Sequence, residues 1–431
     1  MLTLRRFCLI LATLALLGVL GGIVADQSAI WRPCAVVLAI GVAIGIGAIP
    51  LLAPYQFTAW ILATVTVGLT FPANVLQIGP VDMRNKWIIL VAVQMVMFGM
   101  GTQMSLRDFA GVLKMPWGVV VAVISQFSIM PLVGWSLTKI FSLPAEIAAG
   151  VILVGCCSSG LASNVMCYIA RANLALSITA TSVTTLLAPF MTPMWMKLLA
   201  GTLVDVRFFN MMVEIVKIVI VPIGATLLHD YLKFASPRGR RIVRGIAGLA
   251  AIWIILLGFG AWDKLAAHFE GNALTAFELG SFLLAAPLAG LIYHQLTLTS
   301  PIFDRLMPIF SMCGIMYFTT ITTAAGRDNL LKVGGVLLVV AMLHNALGYL
   351  LGYWAARAGG LDKASCRTVA IEVGLQNGGM ASGLAGAMGK LATVGLGAAV
   401  FGSWMNISGS ILANYWKRRP VPPEPAPLSR N

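Results

Sequence analysis

Charge is what this chain has least of. Only 10% of its 431 residues are Asp, Glu, Lys or Arg, while 59% are hydrophobic. That composition cannot clothe a soluble globule and places the chain among polytopic helical membrane proteins. Acidic residues are the scarcest charges, 15 against 29 Lys and Arg, for a net charge of +14. The excess does not point to nucleic acid, because the basic residues gather in short loops and at the tail, as the positive-inside rule requires. Barrel-like alternation is absent; the apolar runs are long and continuous. No HExxH, no GxSxG, no paired zinc-ligand spacing and no paired intramembrane Asp occurs, so the motifs of an intramembrane enzyme are missing. Of seven Cys, five (Cys8, Cys156, Cys157, Cys167 and Cys313) lie in apolar segments. Cys156-Cys157 reads as small-residue packing rather than a disulfide or metal site.

What is present is a series of about fourteen hydrophobic spans. Arg5-Arg6, an apolar run and Ile23-Val-Ala25 resemble a secretory signal. A second apolar segment follows at once, so an uncleaved helix is expected. Arg5, Arg6, Arg107, Lys114, Arg171, Lys233, Arg238, Arg240, Arg241, Arg244, Arg305, Arg357, Lys363 and Arg367 fall on one side of such a layout, with fewer basic residues opposite. Both termini are therefore expected in the cytoplasm, and compact loops fit a bacterial inner membrane.

An internal repeat runs through the chain. Ser158-Ser-Gly-Leu-Ala-Ser-Asn164 aligns with Asn377-Gly-Gly-Met-Ala-Ser-Gly383, and at the same offset Gln126 meets Asn345 and Trp135 meets Trp354. Arg107-Asp108 recurs as Arg327-Asp328 with one residue of slippage. An odd number of spans separates the copies, so they face opposite ways, an inverted repeat of the kind common in secondary transporters. Both copies are interrupted at matched places, Cys157 to Gly160 and Gly374 to Gly379. Unwound backbone at membrane depth is tolerated where it lines a cavity or ligand; glycine faces packed between helices are the other account.

Glu372 lies beside the second interruption. A carboxylate at that depth costs ~2.5–3.5 kcal/mol or more to insert, so it marks a functional site by default. Around the two breaks stand Gln126, Ser163, Asn164, Ser177, Thr181, Gln376, Asn377 and Asn406. Hydroxyl, amide and single-carboxylate oxygens suit a weakly bound monovalent cation, although each Ser or Thr alone could bond its own helix. Glu214 and Lys217, three apart on one span, read as a local ion pair. His344 reads as a hydrogen-bonded core residue.

At this point the chain is recognisable by its residues. Pro144-Ala-Glu-Ile-Ala-Ala-Gly150, Gly160-Leu-Ala-Ser-Asn-Val-Met166, Asn173-Leu-Ala-Leu-Ser177, Thr181-Ser-Val-Thr-Thr-Leu-Leu-Ala-Pro189, Ile371-Glu-Val-Gly-Leu-Gln-Asn-Gly-Gly379 and Asn406-Ile-Ser-Gly-Ser410 resemble the bile acid:sodium symporter family. The resemblance covers roughly 56–233 and 301–416. It implies an all-α polytopic fold of inverted five-helix repeats, with two broken, crossing helices in a core domain and a panel domain beside it. The crossing spans here would be about 146–169 and 364–387.

The resemblance also implies two sodium ions. The first site matches Ser163, Asn164, Ser177, Thr181 and Glu372. The second matches Gln126, Glu372, Gln376 and the carbonyls of Val373 and Leu375. Asn377 and Asn406 match positions lining the substrate cavity. Where relatives carry Pro-Gly-Gly-Thr this chain has Ser158-Ser-Gly-Leu161, so Ser158, Ser159 and Leu161 are expected against the substrate, and bile acid itself is not implied. Four helices exceed the ten-helix pattern. The resulting division is an added N-terminal pair (1–55), a first repeat (56–200), a second repeat (201–418) with a helix pair inserted at about 238–300, and a disordered cytoplasmic tail (419–431). The added pairs are expected to be peripheral. The expected activity is sodium-coupled import of an organic anion by alternating access. A proton-coupled carrier or exporter on the same fold is the alternative.

Overall fold

In the computed structural model, described here for residues 2–50 and 52–421 with the side chain of Pro54 excepted, the chain is almost wholly helical. Most of the tail expected to be disordered lies outside the described residues. Among the described residues, ten helices are long and apolar enough to cross a membrane, or eleven if one bent pair counts as a span. The remaining expected spans are present but short or broken, which is why length alone does not find them.

The N-terminal pair is α1 (Leu2–Val24) and α2 (Ser28–Gly45). The first repeat follows as α3 (Gln56–Thr70), α4 (Lys86–Gly101), α5 (Pro116–Ile140), a broken span of α6 (Ala145–Cys156) and α7 (Ala162–Ile169), and α8 (Leu174–Ala200). The second begins with α9 (Phe208–Phe234) and is interrupted by α10 (Pro237–His268) and α11 (Asn272–Thr299). It resumes as α12 (Ile302–Ala325), α13 (Arg327–Ala358), the broken span α14 (Lys363–Gly374) and α15 (Gly378–Ala387), and α16 (Val394–Lys417). With the insertion set aside, each repeat has five segments, and the fourth is broken in both. Arg107-Asp108 and Arg327-Asp328 sit at equivalent joints, ahead of α5 and at the start of α13.

α5 to α8 pack with α13 to α16 as one body, and α3, α4, α9 and α12 form the layer beside it. One continuous buried cluster runs through both, from Val93 and Met97 through Ile152 and Leu153 to Leu375 and Phe401. The added helices stay outside. α1 packs on α2 and α2 on α3, while α10 packs on α11 and α11 on α9 and α12. Their free faces carry large apolar side chains such as Leu17, Leu249 and Ile255, as surfaces facing lipid do.

α11 is fastened to α9 by charge. Lys217 Nζ lies 2.6 Å from Glu214 and 2.8 Å from Glu278. The local pair read from the sequence is therefore half of a triad, and Glu278 could not be foreseen because it comes from the inserted pair.

Candidate functional site

The two broken helices meet at their breaks. Cys157 (φ −75, ψ 165) and Leu375 (φ −106, ψ 102) leave helical geometry for extended backbone, and Ser159 forms an antiparallel bridge with Gln376. A broken helix at membrane depth must re-satisfy every freed polar group. Here the breaks satisfy each other. Gly160 N donates to Leu375 O at 3.0 Å, and Asn377 N donates to Ser158 O at 2.9 Å. Side chains take the rest. Thr192 Oγ1 donates to Cys156 O (2.7 Å), Gln126 Nε2 to Cys157 O (3.0 Å), Gln376 Nε2 to Val373 O (2.7 Å) and Asn345 Nδ2 to Gly374 O (2.8 Å). The repeat-related Gln126 and Asn345 thus do the same work on opposite breaks.

Gly160 is required by this crossing, since a Cβ there would lie 2.7 Å from Gln376 O. Gly374 is required by the ring of Tyr349, which occupies the space a side chain would need. Gly378 and Gly379, expected inside the break, instead open α15. The reason is Asn377, whose Oδ1 accepts from Met380 N at 3.0 Å and caps the half-helix.

Glu372 points into this crossing and is 2% exposed. Its carboxylate accepts hydroxyls from Ser159 (2.6 Å), Ser177 (2.5 Å) and Thr181 (2.8 Å). Ser177 Oγ also lies 2.8 Å from Asn164 Oδ1, and Ser163 and Thr181 hydroxyls are 3.3 Å apart. Ser163, Asn164, Ser177, Thr181 and Glu372, which come from three segments of the chain, are therefore brought together. No basic side chain takes part in these bonds. A buried carboxylate ringed by neutral oxygens suits a hard cation.

Of the second expected set, Gln126, Gln376 and the Val373 carbonyl are brought together. Gln126 Nε2 lies 2.8 Å from Gln376 Oε1, beside the Val373 carbonyl, while Leu375 O is held by Gly160. Gln126 Oε1 is buried and has no hydrogen-bond partner among the described residues.

The repeat does not duplicate this carboxylate cluster. At the offset that pairs Ser158 with Asn377, Glu372 falls on Leu153, Ser177 on Leu396 and Thr181 on Val400. All three are apolar, so the pseudo-symmetric position is closed to an ion.

Beside the crossing lies a cavity of about 400 Å³. One wall is Phe57, Thr58 and Ile61 of α3, Val96 and Met100 of α4, and Ser311, Ile315, Phe318 and Thr319 of α12. The other is Gly160, Leu161, Asn377, Gly378, Met405 and Asn406. Leu161, Asn377 and Asn406 line this cavity. Ser158 and Ser159 do not line this cavity; Ser159 turns to Glu372 and Ser158 toward Thr185 (3.4 Å). The side-chain direction at a helix break depends on backbone torsions that the sequence does not carry. Among the described residues, no Lys, Arg, Asp or Glu lines the cavity, and neither added helix pair reaches it.

Thr58, Ser311 and Thr319 of the cavity went unread in the sequence, and Asn345 was read only as the repeat partner of Gln126 that could touch the site. Asn345 accepts from Ser408, which in turn contacts Tyr349 at 3.2 Å. Its alignment with Gln126 was the available signal. His344 Nε2 bonds Met130 O at 2.9 Å and belongs to the α5–α13 contact.

Known proteins carry the same pattern. A model of the Sodium Bile acid symporter family matches residues 90–268. The chain is 33% identical to an uncharacterized sodium-dependent transporter, YocS of Bacillus subtilis, over 84% of this chain and 91% of that one. It is 27% identical to a probable chloroplastic sodium/metabolite cotransporter, BASS2 of Oryza sativa, over 85% and 71% of the two chains. It is 27% identical to the human ileal sodium/bile acid cotransporter over 67% and 66%. A solved sodium proton antiporter from Methanocaldococcus jannaschii aligns over 97% of this chain and 98% of its own, at 12% identity and a TM-score of 0.44.

Proposed function

This chain belongs to the sodium bile acid symporter family, and on that premise we propose that it imports an organic anion by alternating access, driven by sodium. The observation that carries the reading is Glu372. It is a buried carboxylate of the second repeat held by three hydroxyls of the first, at a crossing whose other side is a cavity wall. Sodium at Ser163, Asn164, Ser177, Thr181 and Glu372, with a second ion among Gln126, Glu372, Gln376 and the Val373 and Leu375 carbonyls, neutralises the carboxylate and fixes the breaks. The fixed breaks form the substrate wall, so ion and substrate tighten each other by the same factor.

An anion suits this wall. The first residues of α15, Gly378 and Gly379, and Leu161 and Ala162 at the start of α7 all line the cavity. Helix N-termini favour negative charge where no basic side chain is present. Phe57, Ile61, Val96, Phe318 and Met405 leave room for an apolar body, and Asn377 and Asn406 give polar contacts. Bile-acid-like steroids, pantoate-like hydroxy acids and keto acids share that chemistry.

The cavity draws on the first turn of α3, Gln103 beyond α4 and Pro308 of α12. Gln103 and Pro308 lie near Arg107, Lys114 and Arg305, which supports an inward-facing conformation in a bacterial inner membrane with both termini cytoplasmic. The N-terminal pair and α10–α11 form a peripheral layer on the panel, a role supported by their absence from the cavity.

Proteoliposomes test the reading. An inward sodium gradient should drive uptake of at least one of the three anion classes, and an equal potassium gradient should not. Uptake driven by a proton gradient and indifferent to sodium would refute sodium coupling.

A further inference from the structure

We infer that the Ser159 hydroxyl is itself a ligand of the cation held at Glu372, the sixth oxygen of a shell that Ser163, Asn164, Ser177, Thr181 and Glu372 otherwise leave at five. The inference rests on the sodium coupling proposed above. It moves Ser159 from the substrate wall to the ion.

Ser159 is fully buried, and its Oγ is 2.6 Å from Glu372 Oε2 and 3.4 Å from Thr181 Oγ1. The spacing of these oxygens is that of a coordination shell. A cation with oxygen bonds of ~2.3–2.6 Å in six-fold geometry separates neighbouring ligands by about 3.3–3.7 Å. Ser159 to Thr181 (3.4 Å), Ser163 to Thr181 (3.3 Å) and Asn164 to Thr181 (3.4 Å) already meet that spacing. The shorter separations are the hydroxyl bonds to the carboxylate and the 2.8 Å contact of Ser177 with Asn164 Oδ1, which an ion replaces.

For Ser159 to turn a lone pair to the ion, its proton needs another acceptor. Thr184 Oγ1 lies 3.4 Å away, and its own proton is committed to Thr181 O at 3.1 Å. Thr184 can therefore accept from Ser159 while Ser159 faces the cation. The neighbouring Ser158 has no such place, since its Oγ contacts Thr185 and the Met380 sulfur.

The position also ties the ion to the substrate. Ser159 is bridged to Gln376 across the two breaks, and the next residues, Gly160 and Leu161, are cavity wall. An ion gripping Ser159 fixes that wall directly.

Sodium titration of thermal stability in purified wild type, Ser159→Ala, Ser159→Gly and Ser158→Ala, at constant ionic strength with potassium, tests this. Loss of one oxygen contact to a charge should raise the sodium midpoint about tenfold in both Ser159 variants. Ser158→Ala should keep the wild-type midpoint. A purely structural Ser159 would lower the melting temperature without sodium and leave the midpoint unchanged, and that result overturns the inference. An equal midpoint shift in Ser158→Ala overturns it too. If wild type itself shows no sodium-specific stabilisation, sodium coupling fails, and this inference with it. A wild type that responds beside Ser159 variants with its midpoint refutes the ligand alone. Equilibrium binding of radioactive sodium gives the same midpoints without heating, so a variant of low melting temperature is still decided.

Discussion

Glu372→Gln isolates the charge of the ion site. Gln keeps the shape and one acceptor oxygen for the Ser159, Ser177 and Thr181 hydroxyls that now bond the carboxylate. It removes the negative charge that makes a cation welcome. Without sodium, two effects oppose each other. Burying a carboxylate costs several kcal/mol, so its removal stabilises. Hydroxyl bonds to a charged acceptor contribute ~1.5–3 kcal/mol each, so their weakening destabilises. The sodium-dependent change in melting temperature is measured from each variant's own sodium-free state, so both effects drop out of it. An ion that binds the folded state at about a hundred times its Kd adds ~2.7 kcal/mol. At ~2.1 cal/mol/K per residue, the 431 residues convert that to a rise of about 3 °C for one ion and about 6 °C for two. Wild type in detergent should show a rise of that order in sodium over equimolar potassium, and Glu372→Gln should show almost none, since Glu372 belongs to both sites. The reasoning is refuted if folded Glu372→Gln keeps the full sodium-dependent rise.

Three further outcomes follow from the geometry. Asn377→Asp keeps the cap on α15 but sets a negative charge in the cavity wall; like charges about 6–8 Å apart repel by about 2–3 kcal/mol, so the KM for an anion should rise roughly 30- to 100-fold in vesicle uptake. The same variant should keep its sodium midpoint. Gly160→Val presses a side chain onto Gln376 O and should cost about 1–3 kcal/mol of stability, with sodium-dependent stabilisation lost; retained stabilisation would mean that the crossing tolerates separation. Lys217→Met strands two carboxylates and should destabilise by about 1–3 kcal/mol, less than a fully buried pair because both are more than a third exposed. Glu278→Gln leaves the Glu214–Lys217 pair and should cost less, and equal melting temperatures for the two variants would refute the triad.

The long spans were legible because hydropathy is local: any window of apolar residues long enough to cross a bilayer declares itself. The breaks were legible because glycines and small polar residues appeared at matched places in two copies. Their extents were read less well. Gly378 and Gly379 carry the composition of a loop but are helical, because Asn377 ahead of them supplies the cap. Glu278 in the Lys217 triad is another case, since nothing in the α11 sequence says which helix it will face.

The sequence by itself determined that this is a polytopic membrane protein with an inverted repeat, one deep carboxylate and a surrounding set of oxygen-bearing residues. Those properties are written one residue at a time or at a fixed offset along the chain. The tertiary structure decided which oxygens reach Glu372, and that the extra helices stand outside the cavity. It also turned Ser159 to Glu372 and left Gly160 and Leu161 of the first break against the cavity. The physical reason is that coordination is a matter of convergence. Ligands from α7, α8 and α14 meet only where two helices unwind and share their freed backbone groups, and the direction each side chain takes there is set by the crossing.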